Sequence, residues 1–245
     1  MEIFDCNCSI GSGPIPAWRY ARNVAELREE LDFCGIDRAL VHHANMRFSS
    51  PQAWNVRFSE QVQRYAWIEP VWAIMPSQTG EQQKPELFIK AMKGAGVRTL
   101  WAFPKEHKYA LNRSTFGSLF DSLSERNIPL FVKDDLFSIG NLLAEFPRLI
   151  VVAVNQGPGS LERMLRPLLD EYPNLYLETS TYIIDGLIEE FCERHGCERL
   201  LFGSGFPNNC SGSALLRLTQ AEIDPASKQA IAAGNLKRLL EGVQL

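Results

Sequence analysis

Leu149-Ile-Val-Val-Ala-Val154 is the most β-branched run in the chain. An apolar run of this length, with helix-period sequence on either side, reads as a strand buried on both faces. Upstream of it, a helix over Ser138–Phe146 follows a strand over Ile128-Pro-Leu-Phe-Val-Lys133. Downstream, a helix over Leu161–Tyr172 leads to a strand, Leu175-Tyr-Leu-Glu-Thr179. A helix over Ile184–His195 and the strand Leu200-Leu-Phe-Gly203 come next. This alternation is that of repeated βα units.

The first half repeats the pattern. Strands are expected over Ile3–Cys8, Ala39–His43, Val71–Met75 and Val97–Phe103. Asn23 is placed to cap a helix whose apolar face is Val24, Leu27, Leu31 and Cys34, with Gly35 as its stop. Further helices are expected near Pro51–Tyr65, over Pro85–Lys93, from a cap at Ser114 to about Arg126, and over Ala226–Leu240 behind Asp224-Pro225. Eight strands, each followed by a helix, predict an α/β chain folded as a (β/α)8 TIM barrel. A doubly wound open sheet is the alternative. No linker or low-complexity stretch interrupts the sequence, so residues 1–245 are expected to form a single domain.

Composition narrows the function classes. Of 245 residues, 45% are hydrophobic and 22% charged, and 25 Lys+Arg against 29 Asp+Glu give a formal net charge of −4. This balance excludes disorder, collagen-like sequence and a coiled coil. With no basic run, neither nucleic acid nor an anionic membrane is an expected partner. No apolar stretch reaches the ~20 residues of a membrane span. The start, Met1-Glu-Ile-Phe-Asp5, lacks a signal-peptide pattern, so a cytoplasmic protein with reduced cysteines is expected. Oligomeric state is not legible in the sequence.

In a (β/α)8 barrel the site forms at the C-terminal ends of the strands. Strand alternation turns Asn7 and Ser9 into the mouth and leaves Cys6 and Cys8 as packing residues facing the helices. His42 and His43 point to opposite faces, so only one enters the mouth. Lys133 is either an ion-pair centre with Asp134, Asp135 or Glu178, or an anion clamp or lysine of lowered pKa. Glu178 is either a general base or the salt partner of Lys133.

Four segments together resemble the amidohydrolase-related metal-dependent hydrolases. Ile3-Phe-Asp-Cys-Asn-Cys-Ser-Ile-Gly11 is similar to their first-strand D-x-H-x-H-x-G motif. Val151-Val-Ala-Val-Asn-Gln-Gly157 is similar to their sixth-strand segment, Leu201-Phe-Gly-Ser-Gly-Phe-Pro207 to their eighth-strand G-S-D-x-P motif, and Ala233-Gly-Asn235 with Leu239-Leu240 to their closing segment. The resemblance implies a metal held by two His, a Lys or His, a further His and an Asp. The matching positions here are Asn7, Ser9, Lys133, Asn155 and Gly205. Zinc is bound by imidazole, thiolate or carboxylate, so no metal site and no cofactor are expected.

The leading expectation is a family barrel that binds a small organic ligand at its mouth, with weak or no hydrolase or decarboxylase activity. Its catalytic candidates are Lys133, Glu178 and His43; its ligand-binding candidates are Asn7, Ser9, His42, Asp134, Asn155 and Ser204. The alternatives are a metal-independent, lactonase-like hydrolase using Lys133, Glu178 or a mouth histidine, and a non-catalytic scaffold or regulatory protein.

Overall fold

The computed structural model describes residues 1–14, 19–157 and 162–245. Parallel strands follow one another in chain order around a ring. They are β1 (Phe4–Ile10), β2 (Arg38–His43), β3 (Ile68–Pro70), β4 (Trp72–Ala73), β5 (Leu100–Ala102), β6 (Leu130–Val132), β7 (Val151–Ala153), β8 (Leu175–Glu178) and β9 (Leu200–Leu201). Pro70 has no N–H to give, and pairing breaks there. β3 pairs with β2, whereas β4, one residue further on, pairs with β5. The two short strands therefore act as one stave, and the ring has eight. It closes where Cys6 N donates to Phe202 O (2.9 Å), Gly205 N to Asn7 O (2.9 Å) and Ser9 N to Phe206 O (3.0 Å). The expected (β/α)8 barrel is the observed fold.

Helices cover the outside. α1 (Val24–Cys34) is capped by Asn23, whose side chain accepts from Glu26 N, and ends on Gly35 at φ 70°, as its sequence predicts. α2 (Ala44–Phe48), α3 (Pro51–Val62), α4 (Pro85–Gly94), α5 (Pro104–His107) and α6 (Arg113–Glu125) follow in order. The cap of α6 is Asn112 rather than Ser114, because Asn112 Oδ1 takes both Thr115 N and the Ser114 hydroxyl. α7 (Leu136–Glu145), capped by Asp135, leads to α8 (Glu162–Glu171) and α9 (Leu187–His195).

α10 (Ser211–Gln220) is absent from the sequence reading, since Ser-Gly-Ser at its start has the composition of a loop. α11 (Pro225–Gln229), a π-helical turn (Ala230–Gly234) and α12 (Asn235–Glu241) complete the chain. Among the described residues, no helix is long and apolar enough to cross a membrane.

Cys6 and Cys8 are buried, free thiols in the core. The expectation of six reduced cysteines is corrected at one pair: Cys192 and Cys197 form a disulfide. Gly196, at φ 76°, reverses the chain after α9 and brings the two Cα atoms to 4.5 Å, within bridging range.

Candidate functional site at the barrel mouth

A cavity of about 150 Å³ opens at the C-terminal ends of the strands. Asn7 and Ser9 from β1, His42 from β2, Trp101 from β5, Lys133 behind β6 and Asn155 behind β7 line it. Arg47 and Phe48 of α2, Phe103, Phe206 and the glycines Gly11 and Gly13 add the rim. Residues 15–18, which follow this rim in sequence, lie outside the described residues.

The floor is a hydrogen-bonded cluster on Glu178, which is fully buried at the end of β8. Glu178 Oε2 accepts from Asn7 Nδ2 (3.0 Å), from Asn155 N (3.2 Å) and from the Ser180 hydroxyl (2.9 Å); Oε1 accepts from Ser180 N. Asn7 Nδ2 also donates to Asn155 Oδ1 at 3.0 Å. The Ser180 hydroxyl lies 3.0 Å from Asn155 Oδ1 as well, so its single proton serves one acceptor at a time. Burial raises the Glu178 carboxyl to about 7 despite these donors. Asn155 reaches the cluster by holding φ at 53°, a left-handed conformation that asparagine tolerates. Ser180, which gives this cluster two of its donors, escaped the sequence reading; its only signal is its place two residues beyond Glu178.

Glycines beside the cluster leave room for it. A side chain at Gly203 would overlap Glu178 Oε1. Gly205 sits at φ 68°, and a Cβ there would meet Asn209 Nδ2 at 2.5 Å and Ser180 Cβ at 2.8 Å. The space next to Gly205 is thus already filled. The metal that the family resemblance implies does not fit this donor set. Asn7 and Asn155 carry neutral amides, with Asn7 Nδ2 donating to Asn155 Oδ1 and Glu178 and with Asn155 Oδ1 taken by Asn7 and Ser180; Gly205 has no side chain, and Glu178 is the one carboxylate in the cluster. No group of three or more His, Cys, Asp or Glu side chains is suitably placed among the described residues.

Several candidates are placed elsewhere than the sequence suggests. His42 is the histidine in the mouth; His43 is turned out of it. The His43 Nδ1 caps α2 by accepting from Asn45 N (3.1 Å), and its ring stacks on Trp54 at 3.9 Å. Ser204 is fully buried: its hydroxyl accepts from Phe206 N (3.0 Å) and donates to Asn7 O (3.4 Å), which fixes the turn behind β9. Asp134 is drawn away by Lys105 (3.1 Å), which also takes Asp135 (3.4 Å).

Lys133 consequently forms no ion pair with Asp134, Asp135, Glu178 or any other carboxylate among the described residues, so the ion-pair centre is not formed. Burial, with Arg47 nearby, lowers the Lys133 ammonium to about 8. Arg47 itself is paired with Glu106.

His42 packs against Trp101 (centroids 4.7 Å apart) and Phe103 (5.6 Å), and burial lowers its imidazole to about 3. A group lowered in the folded state below its unfolded value of about 6.5 binds fewer protons folded than unfolded. Its contribution is therefore present above pH 6.5 and is lost as pH falls toward 3. Urea denaturation at pH 7 and pH 5 is expected to show His42→Gln losing less stability on acidification than the native chain does. An equal loss in both would contradict the buried, neutral His42.

A search of curated protein sequences gives no match. Solved structures match the fold along its whole length. An uncharacterized TIM-barrel protein from Bordetella bronchiseptica superposes with a TM-score of 0.78 at 17% identity, covering 99% of each chain. 5-Carboxyvanillate decarboxylase from Sphingomonas paucimobilis gives 0.75 at 12% identity, over 98% of this chain and 99% of that one. A dihydroxybenzoic acid decarboxylase from a Polaromonas species, with bound manganese and the inhibitor 2-nitroresorcinol, gives 0.73 at 12% identity, over 98% and 97%. The Amidohydrolase family model (Amidohydro_2) matches residues 13–241. The eight-staved barrel, the strand-end site and this match along nearly the whole chain agree: the chain belongs to the amidohydrolase family.

Proposed function

We propose that the barrel mouth binds a small organic carboxylate without a metal, and that metal-activated hydrolysis or decarboxylation is weak or absent. The observation that carries this reading is Lys133, a half-buried cation in the mouth that no carboxylate of the described residues neutralises. A bound anion supplies the missing charge, and Arg47 stands on the same wall. Trp101, Phe103 and Phe206 make the remaining walls apolar and flat.

A cavity of about 150 Å³ has room for one six-membered ring. Trp101 and His42 line the cavity, and their Nε1 and Nδ1 are buried with no hydrogen-bond partner among the described residues. The decarboxylases that share the fold are named for aromatic acids, which favours a ring carboxylate. Asn7, Asn155 and Gly205 stand where the family's ligands are expected, and the two asparagines are tied to Glu178, which favours binding without a metal.

Benzoate at millimolar concentration is expected to raise the melting temperature of the native chain. Lys133→Met is expected to abolish that rise without lowering the melting temperature of the free protein, since it removes a desolvated charge and breaks no ion pair. A melting temperature unmoved by benzoate and related ring carboxylates, or one equivalent of zinc or manganese in the purified protein, would sink the reading.

A further inference from the structure

We propose that Lys133 is a covalent carbonyl-binding site, its amine condensing reversibly with the keto or aldehyde group of a small 2-oxo acid held in the barrel mouth. This deepens the reading of the mouth as a carboxylate site and rests on it. Lys133 is anchored at the rim by its backbone, whose N–H donates to Ala102 O at 3.3 Å, while its side chain lines the cavity.

The carboxylates that would ordinarily hold a lysine are all committed elsewhere. Asp134 and Asp135 face Lys105, Glu106 holds Arg47, and Glu178 is saturated by Asn7, Asn155 and Ser180. The amine therefore keeps its freedom to approach an electrophile. An apolar wall and a neighbouring cation are the conditions under which a lysine amine is nucleophilic near neutral pH. Both are present, as Trp101 with Phe103 and as Arg47. The lowered ammonium of Lys133 agrees with that setting.

In the proposed complex the carboxylate of the 2-oxo acid lies toward Arg47, which lines the same cavity with its Nε and Nη2 held by Glu106, while Nζ meets the carbonyl carbon. The neutral amine's lone pair forms the C–N bond, and the carbonyl π pair moves to oxygen, which takes a proton. The resulting carbinolamine loses that oxygen as water and becomes the imine. Both amine hydrogens leave with the water overall, and nothing is oxidised or reduced. Ser9 and Asn155 line the same cavity with groups able to hydrogen-bond the departing oxygen.

The test is reductive trapping of the full-length protein with glyoxylate, and separately pyruvate, in sodium cyanoborohydride near pH 7.5, with the adducts located by peptide mass spectrometry. Lys133 is expected to be modified at least tenfold faster than Lys105, whose side chain is 63% exposed. Excess benzoate is expected to slow the modification, and Lys133→Met and Lys133→Gln are expected to remove it while circular dichroism shows the native fold. Labelling of Lys133 no faster than of Lys105 overturns the proposal. If benzoate still raises the melting temperature in that case, the covalent step fails and the carboxylate site stands. If benzoate has no effect either, both fail together.

Discussion

Gly205→Asp, which would restore the acidic residue of the family's eighth-strand motif, is expected to destabilise the protein strongly and to bind no metal. Three costs add. The backbone at φ 68° is a left-handed conformation that disfavours a Cβ by roughly 1 kcal/mol. The new Cβ would meet Ser180 Cβ at 2.8 Å and Asn209 Nδ2 at 2.5 Å, and overpacking of this kind costs roughly 1–3 kcal/mol. The new carboxylate would also share a buried site with Glu178, against which no cation is paired.

A loss on the order of 4 kcal/mol is expected, and at roughly 2–4 °C per kcal/mol for a chain of this size the melting temperature falls by about 10 °C. Gly205→Ala, which carries the strain and the overlap without the charge, should fall part of the way. The measurement is a melting curve together with elemental analysis. Native stability in Gly205→Asp, with one equivalent of divalent metal, would show that the mouth still accommodates the family's ion.

The second large effect is expected at Glu178. Glu178→Ala removes the acceptor for Asn7 Nδ2, Asn155 N, Ser180 N and the Ser180 hydroxyl at once. Donors left buried without partners cost about 1–3 kcal/mol each, less where water enters from the mouth. A net loss of roughly 3 kcal/mol is therefore expected.

Glu178→Gln adds a pH signature. Glu178 is raised to about 7 when folded, against about 4.3 when unfolded, so the folded chain holds a proton that the unfolded chain releases between those values. The stability from that proton is present at pH 5 and fades as pH rises through 7. The native chain's advantage over Glu178→Gln should shrink by roughly 2–3 kcal/mol between pH 5 and pH 8. Denaturant titrations of both proteins at the two pH values make the comparison, in which His42 and His43 cancel. A constant difference would mean that Glu178 is ionised throughout.

Such a titrating carboxylate is what a general base needs, and the geometry still argues against that role. Glu178 lies beneath Asn7 and Asn155, with its lone pairs occupied by four donors and none directed at the cavity. Its part is to hold those amides in place. The polar groups that line the cavity include Lys133, Arg47, His42 and Ser9. Arg47 belongs to α2, a five-residue helix that the sequence reading passed over.

What the sequence determined by itself is the barrel, because strand and helix periods are local properties of the chain. The β-branched run around Val151–Ala153, the Asn23 cap and the Gly35 stop depend on neighbours a few residues away, and each appears where its residues predict. Alternation along β1 likewise placed Asn7 and Ser9 in the mouth and Cys6 and Cys8 in the core.

The wiring of the site was decided only by tertiary structure, because a hydrogen-bond or ion-pair partner is chosen by distance in space. Lys133 stands beside Asp134 in sequence, yet Lys105, from the preceding strand–helix unit, reaches that carboxylate first. His43 is equal to His42 in sequence and opposite to it in direction, because the turn into α2 uses its Nδ1 as a cap. Asn7 meets Glu178 across 171 residues only because the ring closes between β1 and the segment after β9. That closure converts scattered polar positions into a filled floor and leaves Lys133 in the mouth without a carboxylate partner among the described residues.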